Sequence, residues 1–140
     1  MLRQLSVYAE NKKGTLEDIT RILLEHDINI MGSMTDDGAE YGVNRMVVSK
    51  SDVALKSLTE AGYLCSVKDV IGVEIEDKVG NLNALLKTLI QMNINVHYLY
   101  LSFDRKSGLP IMVFSTDDIW EVEDGLRNRG YNVVGSEAMI

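Results

Sequence analysis

Cysteine and proline are almost missing from this chain, with one of each in 140 residues. A disulfide framework is thereby excluded, and so is any CxxC pair for a metal or a redox step. The one thiol, Cys65, reads as a reduced residue packed in a strand, which fits the cytoplasm. Apolar runs are short. None approaches the roughly 18 residues of a membrane-spanning helix, so no membrane is expected as a partner. Met1-Leu2-Arg3-Gln4 enters a strand pattern at once, which leaves no room for a signal peptide. Basic residues are outnumbered, 14 Lys and Arg against 21 Asp and Glu, for a net charge of −7. Nucleic-acid binding needs Lys and Arg to neutralise phosphates, and an acidic chain with no basic stripe argues against it, so no nucleic acid is expected as a partner. A Pro- or Ser-rich spacer is also lacking. What remains, 46% hydrophobic and 25% charged residues, is the profile of a folded domain.

The dominant positive feature is a repeat. Asn11-Lys12-Lys13-Gly14-Thr15-Leu16 returns as Asp77-Lys78-Val79-Gly80-Asn81-Leu82, a shift of 66 positions (80 − 14). Leu5, Val7 and Ala9 alternate with polar residues before the first copy, and Ile71, Val73 and Ile75 hold the same places before the second. Self-similarity at a fixed period marks a duplicated structural unit. Two domains are expected, 1–68 and 69–140. Each is close to the lower size limit for an independent core.

Within each copy the order of patterns is the same. An alternating strand leads through the glycine turn to an amphipathic helix. Thr15 is the expected N-cap, with Asp18 three residues on as in a capping box. Leu16, Ile19, Leu23 and His26 form one stripe; Leu82, Leu85, Leu86 and Leu89 form the other, with Asn81 as cap. A second strand begins at Ile28 or Ile94. Asp36-Asp37-Gly38 and Asp104 to Gly108 read as hairpin loops, and Val43 to Ser49 and Leu109 to Ser115 as third strands. Ser51-Asp52 and Thr116-Asp117 open a second helix, which ends at Gly62 or Gly130 as a C′ glycine. A fourth strand starts at Tyr63 or Tyr131. The fold class is therefore α+β: two tandem ferredoxin-like βαββαβ units, each an antiparallel four-stranded sheet with both helices on one face. In the second copy the alternation assigns Ile94, Val96, Tyr98, Ile111 and Val113 to the helix-facing side. Leu99, Leu101, Phe103, Met112 and Phe114 fall on the outer side. The first copy's outer side carries Ser33, Thr35, Arg45, Val47 and Ser49. An outer face that apolar predicts a covering sheet or chain.

The fold alone does not decide function. An RNA-recognition module would need exposed aromatics with basic charge; Tyr98, Tyr100 and Phe103 imitate the first without the second. A ferredoxin would need cysteine ligands, and an acylphosphatase-like site would need an Arg in a glycine-rich loop. A nucleophile beside a base is not recognisable. Asp36-Asp37 and Asp117-Asp118 read as turn and cap residues. Trp120 suits packing or a partner surface. No cofactor, metal or catalytic residue is expected.

The alternating first strand, the Asn/Asp-x-x-Gly-x-Leu turn, the amphipathic helix and the Ile28-Asn29-Ile30 or Ile94-Asn95-Val96 opening of strand two together resemble the ACT domain. The resemblance spans nearly the whole chain, as a tandem pair. It implies a non-catalytic regulatory or sensor protein, a homodimer that binds a free amino acid at the interface between paired modules. The alternative is a regulatory subunit that docks on an amino-acid biosynthetic enzyme and whose pocket is vestigial.

Elementary chemistry says where such a ligand would sit. A carboxylate suits the unpaired amides of a helix N-terminus. Gly14, Thr15 and Leu16 in one copy and Gly80, Asn81 and Leu82 in the other provide such ends, and glycine allows close approach. Ordinary turn chemistry explains the same residues equally well. An ammonium suits Asp77, whose counterpart Asn11 offers only a carbonyl. Asn29 and Asn95 are expected to neighbour the turn through strand two; an amide there donates and accepts, or satisfies a helix-to-strand corner. Met31 and His97 hold equivalent places (97 − 31 = 66) and would meet the ligand's side chain if that strand lines the pocket. Since Asp77 replaces Asn11 and His97 replaces Met31, one working pocket is expected rather than two equal ones.

Overall fold

A computed structural model describes residues 1–38 and 41–135. The expected 36–38 loop borders residues 39 and 40, and the expected second domain includes 136–140; those seven positions lie outside the described residues. The elements run β1 (Leu2–Ala9), α1 (Thr15–Glu25), β2 (Ile30–Asp37), β3 (Gly42–Val48), α2 (Ser51–Glu60), β4 (Leu64–Glu74), α3 (Asn81–Gln91), β5 (Tyr98–Phe103), β6 (Pro110–Ser115), α4 (Ile119–Asn128) and β7 (Asn132–Val134). The chain divides into an N-terminal unit, Arg3–Lys68, and a C-terminal unit, Asp69 onward with Met1 and Leu2. β4 crosses the boundary and serves as last strand of one unit and first of the other. Both units are thus α+β and ferredoxin-like in element order. No helix among the described residues is long and apolar enough to cross a membrane.

Each unit has its own core. In the N-terminal unit, β1 and β3 are antiparallel with Leu5 opposite Met46, and β2 and β3 pair with Ser33 opposite Met46. Leu5, Val7, Met46 and Val48 meet Ile19, Ile22 and Leu23 of α1 and Ala54 and Leu58 of α2. In the C-terminal unit, β6 pairs with β4 and β5, and β4 with β7, all antiparallel. Ile71, Val73, Met112, Phe114 and Val133 meet Leu85 and Leu89 of α3 and Val122 and Leu126 of α4. His26 does not end the α1 stripe: it is exposed, and its Nδ1 lies 2.8 Å from the Ile22 carbonyl oxygen. Cys65 lies half-buried in β4.

The helix starts differ from expectation. Gly14 and Gly80 are themselves the N-caps, at φ +94 and +88, without a side-chain cap bond. A turn that needs left-handed backbone at the cap selects glycine there, and glycine has no side chain to cap with. Thr15 and Asn81 instead reach backwards. Thr15 Oγ1 donates to the Glu10 carbonyl at 3.0 Å, and Asn81 Nδ2 to the Glu76 carbonyl at 2.8 Å. Asp18 accepts hydrogen bonds from Tyr63 and Arg21 rather than closing a capping box. The caps of α2 and α4 are Lys50 and Asp118, at φ +50 and +53, rather than the Ser51-Asp52 and Thr116-Asp117 pairs. Gly62 and Gly130 do follow the second helices with φ +97 and +87.

The strand phase is the largest correction. β5 begins at Tyr98, not at Ile94. Ile94 and Val96 pack on the helix-facing core, yet so do Leu99, Met112 and Phe114. Period two cannot join Val96 to Leu99; a one-residue irregularity lies between, and a one-residue slip reverses every later side chain. The N-terminal unit shows the same feature as a bulge at Met31, where Ile30 opposes Val48 and Gly32 opposes Val47. Ser33 and Thr35 therefore share the helix-facing side with Met46, and the Leu99, Leu101, Phe103, Met112 and Phe114 set is likewise helix-facing. The outward set is Tyr98, Tyr100, Ser102, Ile111 and Val113, of which Tyr100, Ser102, Ile111 and Val113 are buried. The residues expected on the outer side are thus the wrong set, while the outer side itself is buried, at Tyr100, Ser102, Ile111 and Val113. Asp36 and Asp37 belong to β2, opposite Val43 and Gly42, rather than to a loop.

The third strand is also offset. Leu5 opposes Met46, whereas Ile71 opposes Phe114: strand one repeats at 66 (71 − 5) and strand three at 68 (114 − 46). The cause is a longer hairpin, four residues between β2 and β3 and six between β5 and β6.

Candidate functional site

The glycine turn is built alike in both units. Lys12 N–H donates to Glu10 at 3.1 Å and Lys78 N–H to Glu76 at 2.9 Å; Thr15 N–H donates to Lys12 at 3.1 Å and Asn81 N–H to Lys78 at 3.2 Å. The first helical bonds are Asp18 to Gly14, 3.0 Å, and Ala84 to Gly80, 2.9 Å. The amides of Leu16 and Glu17, and of Leu82 and Asn83, precede those first bonds. They give each turn the donors and the partial positive charge of a helix N-terminus.

What lies beside the turn is not alike. In the C-terminal unit a cleft of about 250 Å³ is lined by Ile75, Glu76, Asp77, Lys78, Asn81, Leu82, Leu101, Phe103, Pro110 and Met112. The corresponding space in the N-terminal unit is about 10 Å³, among Ala9, Asn11, Thr15, Leu16, Thr35, Gly42 and Asn44 and their neighbours. The latter is about the room of one water. The strand offsets identify the counterparts. Thr35 opposes Asn44 and Leu101 opposes Met112; Gly42 is matched by Pro110.

Side-chain chemistry accounts for the difference. Asn44 is buried. Its Nδ2 donates to Thr35 Oγ1 at 2.7 Å and to Ser33 Oγ at 3.2 Å, a closed polar network that fills the N-terminal space. Asn11 lies so close to Gly42 that a Cβ there would be 2.9 Å from its own Cβ. In the C-terminal unit the network is replaced by Leu101 and Met112. Met112 is 3% exposed and forms the floor; Leu82, Leu101 and Phe103 are 38%, 51% and 56% exposed and form a wall. Apolar side chains this exposed around one cavity are the usual lining of a small-molecule site.

Charge sits on the rim. Lys78 Nζ is 2.6 Å from Glu76 Oε2. The hydrogen bond from Lys78, and then its charge, hold the Glu76 carboxyl below its ordinary value, and Glu76 raises Lys78 in the same way. Both groups are in water, so the pair orients the rim more than it stabilises the fold. The matching Lys12–Glu10 pair is looser, at 3.8 Å. Asp77 adds a second carboxylate to the cleft.

Of the residues singled out in the sequence, Asn11, Thr15 and Leu16 share the N-terminal space, and Asp77, Asn81 and Leu82 share the C-terminal cleft. Gly14 and Gly80 stand at the helix caps. Asn29, Met31, Asn95 and His97 are not brought to the turns of their own units. They follow helices of 11 residues, about 16 Å long at 1.5 Å per residue, and lie past the far ends. Asn29 N–H bonds Ser49 Oγ at 2.9 Å, and His97 Nε2 lies 3.3 Å from Asp117 Oδ1. Leu101, Phe103, Pro110, Met112 and Ile75 line the cleft without a motif in the sequence that marks them as site residues. The alternation of Leu101, Phe103 and Met112 is visible in the sequence but points to the outer face, and Ile75 and Pro110 carry no site signal there. Among the described residues no group of three or more His, Cys, Asp or Glu is placed to hold a metal ion.

Residues 1–137 match the family model described as an ACT domain pair. No curated protein matches the chain. A crystal structure of a protein from Bacteroides thetaiotaomicron is similar over 99% of this chain and 94% of its own, at 24% identity and a TM-score of 0.88. The ligand-free regulatory subunit of aspartate kinase from Thermus thermophilus is similar over 89% of this chain and 88% of its own, at 14% identity and a TM-score of 0.63. The corresponding regulatory subunit from Thermus flavus has 16% identity over 89% and 88%, also with a TM-score of 0.63. At these identities the likeness is one of fold.

Proposed function

This chain belongs to the ACT domain pair family, and we propose that it is a non-catalytic regulatory protein that binds a free amino acid beside the glycine turn of its C-terminal unit. The observation that carries this reading is the 250 Å³ cleft at Asp77 to Leu82, against 10 Å³ in the other unit. Each unit is taken as a four-stranded antiparallel sheet with both helices on one face, so that the first helix begins at the sheet end where the cleft opens. The ligand's carboxylate would face the Leu82 and Asn83 amides, and its ammonium would face Asp77. Gly80 permits the approach and Asn81 holds the turn to Glu76.

Asn11, Gly14, Thr15 and Leu16 form the equivalent turn of the N-terminal unit, which on this reading is structural. Asn29, Met31, Asn95 and His97 would meet a ligand only across paired modules, the arrangement that a homodimer would supply. A second copy laid over Leu82, Leu101 and Phe103 would complete the pocket and withdraw those side chains from water. An amino acid then shifts the balance between subunit arrangements to the extent that it binds them unequally. The alternative, a subunit docked on an amino-acid biosynthetic enzyme, has no exposed apolar outer sheet face to motivate it, since Tyr100, Ile111 and Val113 are buried. The regulatory role named for the Thermus structures is its remaining support.

The test is a thermal-shift screen of the free amino acids. Stabilisation by at least one at millimolar concentration is expected, since a ligand at 100 times its Kd stabilises by about 2.7 kcal/mol. No shift with any of them would refute amino-acid binding.

A further inference from the structure

Resting on the reading just proposed, we infer that the C-terminal cleft selects amino acids with apolar side chains and that each chain binds one molecule. The two units are an internal comparison. At the same structural positions the N-terminal unit has Thr35, Asp37 and Asn44, and the C-terminal unit has Leu101, Phe103 and Met112. The first set contains a hydrogen-bonded network around buried Asn44, with bonds of 2.7 and 3.2 Å to Thr35 and Ser33. It leaves no room for a ligand. The second set cannot bond to itself, so a cleft remains, walled by Leu82, Leu101 and Phe103 over Met112.

Such a wall offers nothing to a hydroxyl, amide or charged side chain, which would lose its water without a partner. An apolar side chain would exchange water for Leu101, Phe103 and Met112 and gain with each methylene buried. The polar demand of the ligand is met on the opposite side only, where Asp77 offers a carboxylate beside the helix N-terminus, Lys78 being held by Glu76. One charged rim and one apolar wall fit a zwitterion with an apolar side chain.

The experiment is isothermal titration calorimetry on the full chain with leucine, methionine, phenylalanine and valine against glycine, serine, aspartate and lysine. The apolar group is expected to bind at least about tenfold more tightly than glycine or serine, with a stoichiometry of one per chain. The double variant Leu101→Thr/Phe103→Asp introduces the N-terminal unit's residues at exposed positions, so the fold should persist, as circular dichroism will show. It is expected to weaken the apolar ligands at least tenfold while glycine changes little. Asp77→Asn is expected to weaken all ligands alike. If serine or lysine binds as tightly as leucine, or the double variant leaves leucine unchanged, the selectivity is refuted while amino-acid binding stands. Two molecules per chain would refute the single site. If none of the eight binds, the selectivity is refuted, and the thermal-shift screen of all the free amino acids decides whether the proposed function falls with it.

Discussion

Gly80→Ala isolates the backbone requirement of the turn. A Cβ at Gly80 would meet nothing within 4 Å, and the same holds at Gly14. Packing therefore contributes nothing, and the whole effect comes from φ +88 and +94. Left-handed backbone costs an L-residue about 1–2 kcal/mol. Unfolding of 140 residues at about 2.1 cal/mol/K per residue gives an entropy near 0.3 kcal/mol/K. The expected fall in Tm is thus about 3–7 °C for either substitution, if the chain melts as one unit, and about twice that if the unit melts alone. Asn tolerates this region better, so Gly80→Asn should fall between wild type and Gly80→Ala. Calorimetry on the two single variants and the Asn variant measures all three. An alanine variant within about 0.3 kcal/mol of wild type, or Asn as damaging as Ala, would refute the conformational argument.

Tyr63 gives a prediction in alkali. Its hydrogen bond to Asp18, then burial, push its phenol up to about 12 from 10.0. A pKa raised in the folded state means that the contribution is complete below pH 10 and is lost between about 10 and 12. Absorbance titration should show a tyrosine step near pH 12, and Tyr63→Phe should remove that step. Asp104 gives the opposite sign. Its Oδ1 accepts from Lys106 N–H at 2.7 Å and Ser107 N–H at 3.2 Å, and the Lys106 bond, as the largest cause, holds the carboxyl below its ordinary 3.8. Asp104→Ala should cost about 1–3 kcal/mol at neutral pH, and urea titrations should show that difference shrinking as the carboxyl protonates in acid. At Gly72 an added Cβ would be 2.4 Å from Leu2 Cδ1 and 2.9 Å from Val134 Cγ2. Gly72→Ala should therefore destabilise by about 1–3 kcal/mol through overpacking. Leu2→Ala in the same chain should recover part of that loss, seen as a non-additive double-mutant cycle.

The duplication and the order of elements were legible because each signal was local and occurred twice. Leu5-Val7-Ala9 and Ile71-Val73-Ile75 set the first strands, and Gly62 and Gly130 set the ends of the second helices. The errors arose where a local pattern depended on its partner. Thr15 and Asn81 have capping side chains, but the glycine before each had already taken the cap, which left them to bind Glu10 and Glu76. The bulge at Met31 is marked only by the Gly32 that follows it, and the segment before Tyr98 breaks the alternation by one residue with no glycine or proline to announce it. That single step turned Leu101, Phe103 and Met112 from pocket lining into an outer face. The two extra residues between β5 and β6 then hid the match of Asn44 with Met112, because a fixed shift of 66 aligns Asn44 with Pro110. The asymmetry between the units was visible as Asp77 against Asn11, yet the larger part of it lies in strands two and three.

The most direct test of the central claim is a methyl NMR titration of the full chain with leucine. Binding in the C-terminal cleft predicts concentration-dependent shifts of the Leu82, Leu101 and Met112 methyls while Leu16 and Ile19 stay fixed. Shifts confined to Leu16 and Ile19, or no shifts at millimolar leucine, would contradict it.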